Sequence, residues 1–277
     1  MAGRSARRPV TRYRAGEVDR RVDTLAVEEP LEIRVDGEPF TLTMRTPGDD
    51  VELAHGLLRS EGVITSREDV QVMRYCSDTT TLNVLDVSLT RAPGVPLSGQ
   101  RNLASYGGCG LCGSSTIDAV AERVLLGSRV EHPDVAVEPA AITRALDGLR
   151  EAQTLFAKTG GVHGAAVASA EGEVLHARED VGRHNAVDKV LGRLVLDEAP
   201  PAPLLVVSSR ASFEIVAKAA VAGVSVLACV SAPSSLAADA ADQLGLTLVA
   251  FARDDRLTVV TSPERVRQGA ADAPAAS

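Results

Sequence analysis

The clearest alternation of apolar and polar positions lies in the last third of the chain. Three apolar runs have the length of buried strands, at residues 204–207, 224–230 and 246–251. Two segments with helical spacing separate them; Ser212 and Ser234 stand where N-caps are favoured, and Gly223 and Gly245 stand where helices stop. This strand–helix series predicts parallel strands joined by right-handed crossovers.

Polar residues follow each of these strands. Because parallel strands end at one edge of a sheet, the loops should line a common crevice, where open α/β sheets bind ligands. Hydroxyls, helix N-termini and arginines suit a phosphorylated ligand, although the same residues are also typical of solvated, helix-capping loops. The candidates from this pattern are Ser208, Arg210, Ser234, Arg253 and Arg256.

The first half of the chain is predicted to be rich in β-structure. Residues 31–35 alternate apolar with charged side chains, and residues 40–44 form a second run after Asp36-Gly37, which predicts a hairpin with a type I′ turn. A short helix is expected after residues 46–50, and further strands between residues 70 and 87. A Pro/Gly-containing loop is expected at residues 90–105.

Two histidines mark the region between these halves. A predicted helix at 142–156 is followed by a Gly-Gly-Val-His run that ends in His163. His184 stands at the start of a second helix, behind Asp180 and Arg183. A histidine at a loop–helix junction suits phosphate binding, proton transfer or simple packing, so both are candidates for either function or structure.

Residues 107–113 contain two cysteines among four glycines, and Ser114 can cap a helix that follows. A thiol at a helix N-terminus is favoured as the thiolate, so Cys109 and Cys112 are predicted to carry sulfur chemistry. Structural zinc would need a second ligand pair, which the sequence does not supply nearby. A thioredoxin-like exchanger stays open, but the zinc-deaminase signature is absent.

Composition narrows the function classes. The 277 residues include no Trp and carry a net charge of −8, which argues against nucleic-acid binding as the main role, and no apolar run approaches membrane-spanning length. Seven arginines lie within the first 21 residues, which predicts a disordered basic arm over 1–25. Without a secretion signal or a disulfide framework, the expected location is the cytoplasm.

Several longer motifs resemble one protein family. They are Glu-Glu-Pro-Leu-Glu-Ile at 28–33, Met-Arg-Thr-Pro-Gly-Asp-Asp at 44–50, the Cys109/Cys112 loop, Thr-Gly-Gly-Val-His at 159–163, Arg-Glu-Asp-Val-Gly-Arg-His-Asn-Ala-Val-Asp-Lys at 178–189 and Ser-Ala-Pro-Ser-Ser at 231–235. In this order they resemble the formate dehydrogenase accessory sulfurtransferases, the FdhD/NarQ family. The similarity runs from about Val27 to Arg265.

The resemblance implies a fold and a function. It implies a cytoplasmic homodimer whose C-terminal domain is α/β, cytidine-deaminase-like and mainly parallel in its sheet, with a smaller β-rich N-terminal subdomain. It also implies that sulfur from a cysteine desulfurase is passed to the bis(guanine dinucleotide) form of the molybdenum cofactor before that cofactor enters formate dehydrogenase. Cys109 corresponds to the persulfide carrier, and the cofactor-binding segment corresponds to Phe251, Ala252, Arg253, Asp254, Asp255 and Arg256. No intrinsic metal is expected.

Together these observations predict five segments: a basic arm at 1–25, a β-rich subdomain at 26–105, a mobile cysteine loop at 106–116, an α/β cofactor-binding domain at 117–267 and a disordered tail at 268–277. In the expected mechanism Cys109 carries a persulfide, and Cys112 either releases the sulfur by forming a disulfide or only tunes the persulfide. Two other functions stay open, a chaperone that only holds the cofactor and a dithiol oxidoreductase.

Overall fold

A computed structural model describes residues 3–76, 82–90, 103–104, 130–253 and 256–267. The strands are β1 Ser5–Arg14, β2 Glu17–Ala26, β3 Glu29–Val35, β4 Glu38–Arg45, β5 Val70–Tyr75, β6 Val84–Leu89, β7 Leu103–Ala104, β8 His163–Ala168, β9 Val174–Asp180, β10 Leu204–Val207, β11 Val226–Cys229, β12 Thr247–Arg253 and β13 Arg256–Val259. The α-helices are α1 Asp50–Ser60, α2 Pro139–Ala152, α3 Thr154–Thr159, α4 Arg183–Leu196, α5 Phe213–Val221 and α6 Ser235–Gln243. The predicted α/β class is confirmed.

The C-terminal half is built on a six-stranded sheet with the order β13-β12-β11-β10-β8-β9. Its three middle neighbours, β10, β11 and β12, are parallel as their apolar runs predict. The flanking strands are antiparallel, so the sheet is mixed rather than parallel throughout. This follows from tight local turns, since Gly172 has φ +86° between β8 and β9 and those strands pair as a hairpin.

Helices cover both faces of this sheet. Buried side chains of α4, α5 and α6 pack on one face, and α2 packs on the other through residues such as Ile142, Ala145 and Leu149. The predicted helix at 142–156 is divided at Gln153, where α2 ends and α3 begins. Glu179 on β9 accepts hydrogen bonds from the backbone N–H groups of Leu155 and Phe156 at 2.9 and 2.7 Å, which satisfies the start of α3.

A second sheet, with the order β5-β6-β3-β4-β7, forms the N-terminal half. The hairpin of β3 and β4 turns at Asp36 and Gly37, whose φ values of 52° and 83° suit a type I′ turn. Leu31, Ile33 and Leu85 of the sheet are fully buried against α1. The expected β-rich subdomain is therefore present among these residues.

The predicted disordered arm is wrong for most of its length. Residues 5–26 form an antiparallel hairpin, with Arg14 opposite Glu17 and Arg12 opposite Asp19. The prediction rested on the arginine-rich composition and gave too little weight to the Val, Thr and Tyr side chains between the arginines, which favour strands. Cross-strand charge pairs and the positive φ of Gly16 at the turn also stabilise the hairpin. The predicted cysteine loop at 106–116 and tail at 268–277 lie outside the described residues.

A fully buried ion pair and a partly buried one lie where the two halves meet. Lys189 Nζ lies 2.8 Å from Asp180 Oδ2 and donates to the carbonyl oxygen of Thr46 at 2.9 Å, with Lys189 and Asp180 fully buried. Arg178 on β9 contacts Glu52 on α1, with 2.7 Å between Nη2 and Oε1. Because an uncompensated buried charge is costly, these pairs hold α1 and β4 in a defined position on the C-terminal half.

Candidate functional site

A cavity of about 630 Å³ opens at the edge where the parallel strands end. Ser208 follows β10, Val230 follows β11, and Ala252 and Arg253 close β12. The opposite wall comes from α2, α3 and the loop before β8, and it includes Asp147, Arg150, Gln153, Phe156, Gly160, Gly161 and His163. A cavity of this size accommodates a nucleotide-sized ligand.

The antiparallel strand β8 brings His163 to this edge. Since β8 runs opposite to β10, it begins where β10 ends, with Ala165 opposite Val207. Ser208 closes the corner: its N–H donates to the carbonyl of Gly164 at 3.0 Å, and its Oγ accepts from the N–H of Gly164 at 2.9 Å. Neither of these bonds uses the hydroxyl proton of Ser208, so the hydroxyl can donate it to a ligand.

His163 is held as a neutral base. Burial is the largest influence and lowers the pKa of His163, and the Arg183 cation lowers it further, against an opposing contribution from Asp180. Within the described residues, neither ring nitrogen has a hydrogen-bond partner. A neutral imidazole at a cavity wall can accept a proton or a hydrogen bond from a ligand.

Gln153 contributes a buried amide to the same cavity. Its side chain is 7% exposed, and its Nε2 has no hydrogen-bond partner among the described residues. Gly164 makes room for it, because a Cβ atom at that position would lie 2.8 Å from Gln153 Cδ and Nε2. An unpartnered buried amide costs stability, so its presence in a cavity wall indicates a place for a polar ligand.

The residues of α2 and α3 that line the cavity were not among the binding residues predicted from the sequence. Asp147 and Arg150 lie on α2 and Phe156 on α3, and all three are exposed at the cavity. The amphipathic spacing of this helix was visible in the sequence, but its polar face is not distinguishable there from a solvated one. To predict this side of the cavity, one would have to know that the helix is divided at Gln153.

Several sequence candidates lie outside the cavity lining. Ser234 caps α6, its Oγ accepting from the N–H of Ala237 at 3.2 Å, which is the structural role left open for it. Arg210, Phe251 and Arg256 are exposed, and Phe251 adopts a positive φ of 53° beside a register shift in β12. Asp254 and Asp255 lie outside the described residues.

His184 belongs to a different cluster. Its Nε2 lies 3.0 Å from Glu214 Oε2 and 3.2 Å from Ser212 Oγ, at the start of α4 and α5. Asn185 next to it donates to the carbonyl of Met44 at 2.7 Å. The segment at 178–189 therefore ties the halves together, and His184 is absent from the cavity lining.

Cys109 and Cys112 lie outside the described residues, so their position relative to the cavity is not part of the structure. Cys229 is buried at the end of β11, and burial raises the pKa of its thiol. Such a thiol is a poor nucleophile, so Cys229 is a core residue and not a second sulfur carrier.

Comparison with known proteins decides the family. The model of the FdhD/NarQ family matches residues 26–267. The chain belongs to the FdhD/NarQ family. The resemblance deduced from the motifs at 28–50 and 159–189 is thereby confirmed.

Relatives of this FdhD/NarQ chain carry a consistent name. This chain is 47% identical to the sulfur carrier protein FdhD of Streptomyces coelicolor over 275 residues, and the match covers 96% of each chain. It is 46% identical to the sulfur carrier protein FdhD of Mycolicibacterium paratuberculosis, covering 95% of this chain and 98% of the relative. A crystal structure from Desulfotalea psychrophila, named as a formate dehydrogenase accessory protein, matches with a TM-score of 0.76 at 25% identity, covering 96% of this chain and all of that one.

Two absences apply to the described ranges. No helix there is long and apolar enough to cross a membrane. Within the same ranges, no group of three or more His, Cys, Asp or Glu side chains is placed to hold a metal ion.

Proposed function

We propose that this chain is a sulfur carrier in the maturation of formate dehydrogenase. It takes sulfur from a cysteine desulfurase as a persulfide on Cys109 and delivers it to the bis(guanine dinucleotide) molybdenum cofactor. Support comes from membership of the FdhD/NarQ family and from relatives named as sulfur carrier proteins. Under this proposal the cofactor is the substrate of the transfer, and the chain acts as a homodimer in the cytoplasm.

The observation that carries the proposal is the set of unpartnered polar groups around the cavity. The buried amide of Gln153 and the neutral ring of His163 face a space large enough for one nucleotide end of the cofactor. Asp147 offers an acceptor for the N–H groups of guanine, while Arg150 and Arg253 offer charge to phosphates. These residue types fit a guanine nucleotide better than an apolar ligand.

The sulfur step needs only thiol chemistry. The Cys109 thiolate attacks the terminal sulfur of the donor persulfide, which forms a new S–S bond on Cys109 and releases the donor's cysteine thiolate. Delivery as sulfide needs two electrons. The Cys112 thiolate supplies them by attacking the Cys109 sulfur, which forms the Cys109–Cys112 disulfide and expels hydrosulfide toward the cofactor.

Intact-protein mass spectrometry tests the carrier role directly. The full chain is incubated with a cysteine desulfurase and cysteine, beside Cys109→Ser and the matched Cys112→Ser. We expect a gain of one sulfur atom that reductant removes in the wild type and in Cys112→Ser, and none in Cys109→Ser. A wild type that gains no sulfur from an active donor would contradict the carrier role and favour a chaperone that only holds the cofactor.

A second experiment addresses the cavity with GDP as the probe. We expect calorimetric binding by the wild type that weakens in Arg253→Gln, with Arg256→Gln as the matched control because Arg256 is outside the cavity lining. Equal weakening by both substitutions would contradict the assignment of the cavity.

The role of Cys112 is tested separately. Sulfide delivery by Cys112→Ser without added reductant would exclude the disulfide-forming step.

A further inference from the structure

The hairpin of β1 and β2 has two unlike faces. Residues directly opposite in an antiparallel pair share a face, so Pro9 lies with Val22, and Tyr13 with Val18. The other face is charged, and Arg12 and Arg21 each pair with Asp23 at 3.4 Å. The Tyr13 face also carries Arg7 and Arg20 but no carboxylate, whereas the three carboxylates of the hairpin lie on the opposite face. One face is therefore largely apolar with two cations, and the other is a mixed charged surface adapted to water.

The apolar face is open in a single chain. Tyr13 is 77% exposed, Val18 58% and Val22 50%, which are among the highest values for large apolar side chains in the described residues. A two-stranded hairpin is marginally stable on its own in water. Its base is anchored, because Arg4 donates to the carbonyl of Glu179 at 3.2 Å, but its apolar face gains nothing from that contact.

Charge identifies the kind of surface that fits this face. Residues 3–26 contain seven arginines and three carboxylates, which give this segment a net charge of +4. Because the whole chain has a net charge of −8, the remaining residues carry a net charge of −12. Two hairpins stacked on each other would bring like charges together. A hairpin on the body of another copy brings opposite charges together, and a two-fold arrangement lets both copies make the same contact.

We propose that the β1–β2 hairpin is an exchange arm that lays Pro9, Tyr13, Val18 and Val22 on the acidic body of a second copy of this chain. The inference rests on the homodimer in the proposed function and specifies the surface that forms it. It does not depend on sulfur transfer.

Sedimentation velocity of the full chain over a concentration series tests the arm. A variant with Tyr13→Thr, Val18→Thr and Val22→Thr keeps the β-propensity of the strands and removes the apolar contacts, whereas Val10→Thr changes the opposite face and is the matched control. We expect the triple variant to weaken the dimer by about tenfold or more and the control to leave it unchanged. The wild-type dimer should also weaken as sodium chloride is raised, because the contact joins opposite charges.

Photocrosslinking keeps the proposal testable if the triple variant loses its hairpin. With p-benzoylphenylalanine in place of Tyr13, we expect crosslinks between chains that map to the partner's residues after position 26. Crosslinks only within one chain, or a dimer that persists unchanged in a correctly folded triple variant, would overturn the arm while leaving the homodimer intact. A wild type that is monomeric at every concentration would overturn both the arm and the homodimer, and a residue 13 probe that crosslinks only to added lipid vesicles would overturn the arm alone.

Discussion

Gly56 of α1 and Gly192 of α4 lie where the two helices cross in backbone contact. A Cβ atom on Gly192 would stand 2.6 Å from the backbone nitrogen of Gly56 and 1.8 Å from the carbonyl oxygen of Glu52. A Cβ atom on Gly56 would stand 1.9 Å from the carbonyl oxygen of Asp188. The halves of the molecule therefore meet through the backbones of two helices, with the buried ion pairs placed around the crossing.

Gly192→Ala should destabilise the fold by about 3 kcal/mol, because the added methyl meets backbone atoms that cannot move aside without separating the helices. Urea unfolding at pH 7 measures the change. Gly148→Ala on α2 is the matched control, since its Cβ would meet only the Val174 side chain, at 2.7 Å, which can rotate. Equal stability changes in the two variants would contradict the close crossing.

Lys218→Met should cost about 3–5 kcal/mol, because it leaves the carboxylate of Asp188 buried without its cation. Lys218 Nζ lies 2.7 Å from Asp188 Oδ1, and the Asp188 side chain is 1% exposed. Adding Asp188→Asn should recover most of the loss, since the buried charge is then gone. Urea unfolding of the two single variants and the double variant measures the coupling, and a double variant as unstable as Lys218→Met would contradict it.

The same pair has a pH dependence. Burial raises the pKa of Asp188, and the Lys218 cation opposes that rise. Without Lys218, folded Asp188 should hold its proton to higher pH than the unfolded chain does. The stability deficit of Lys218→Met should therefore grow as the pH rises from the ordinary Asp range toward neutrality. A deficit independent of pH would show that lost packing, and not the charge, is responsible.

Local signals made much of the fold predictable. The three parallel strands, the hairpin turn at Asp36-Gly37 and the cap at Ser234 each depend on a few neighbouring residues, and they are present. The β1–β2 hairpin was missed because composition outweighed alternation, and Ala15-Gly16 is not the usual turn pair. The antiparallel pairing of β8 with β10 in the six-stranded sheet joins strands that are separated by β9 and α4, and no local pattern shows it.

The site was predictable only in part. Parallel strands correctly brought Ser208 and Arg253 to one edge, since strand order follows from the crossover rule. The cavity also needs Gln153, whose buried position depends on the end of α2, the start of α3 and the absence of a side chain at Gly164. Those three conditions come from distant parts of the chain, so no motif reveals them.

Acidification should destabilise the folded chain in a way that His163→Gln reduces. The pKa of His163 lies below its ordinary value of 6.5, so the unfolded chain takes up a proton there before the folded chain does. The stabilising contribution is complete above about pH 6.5 and is lost as the pH falls toward the folded pKa. His55, whose pKa burial also lowers, keeps part of the dependence in the variant.

Arg183→Gln provides the complementary measurement. Removing the cation beside His163 should raise the pKa of that histidine, as read from its imidazole proton resonances over a pH titration. The histidine should nevertheless titrate below its ordinary range, because burial is the larger influence. An unchanged pKa in Arg183→Gln would contradict the electrostatic contact across the start of α4.

Gln153→Leu should separate stability from binding. The substitution removes an amide nitrogen that is buried without a partner in the described residues, so the free energy of unfolding should rise by about 1 kcal/mol. The same change removes a hydrogen-bonding group from the cavity, so GDP should bind more weakly, by about tenfold. Urea unfolding and calorimetry of one preparation measure both quantities.

Gln153→Glu, which keeps the shape of the side chain but introduces a carboxylate, is the matched comparison and should lose stability as well as binding. A Gln153→Leu protein that is less stable yet binds GDP normally would place the amide in the fold and not in the site.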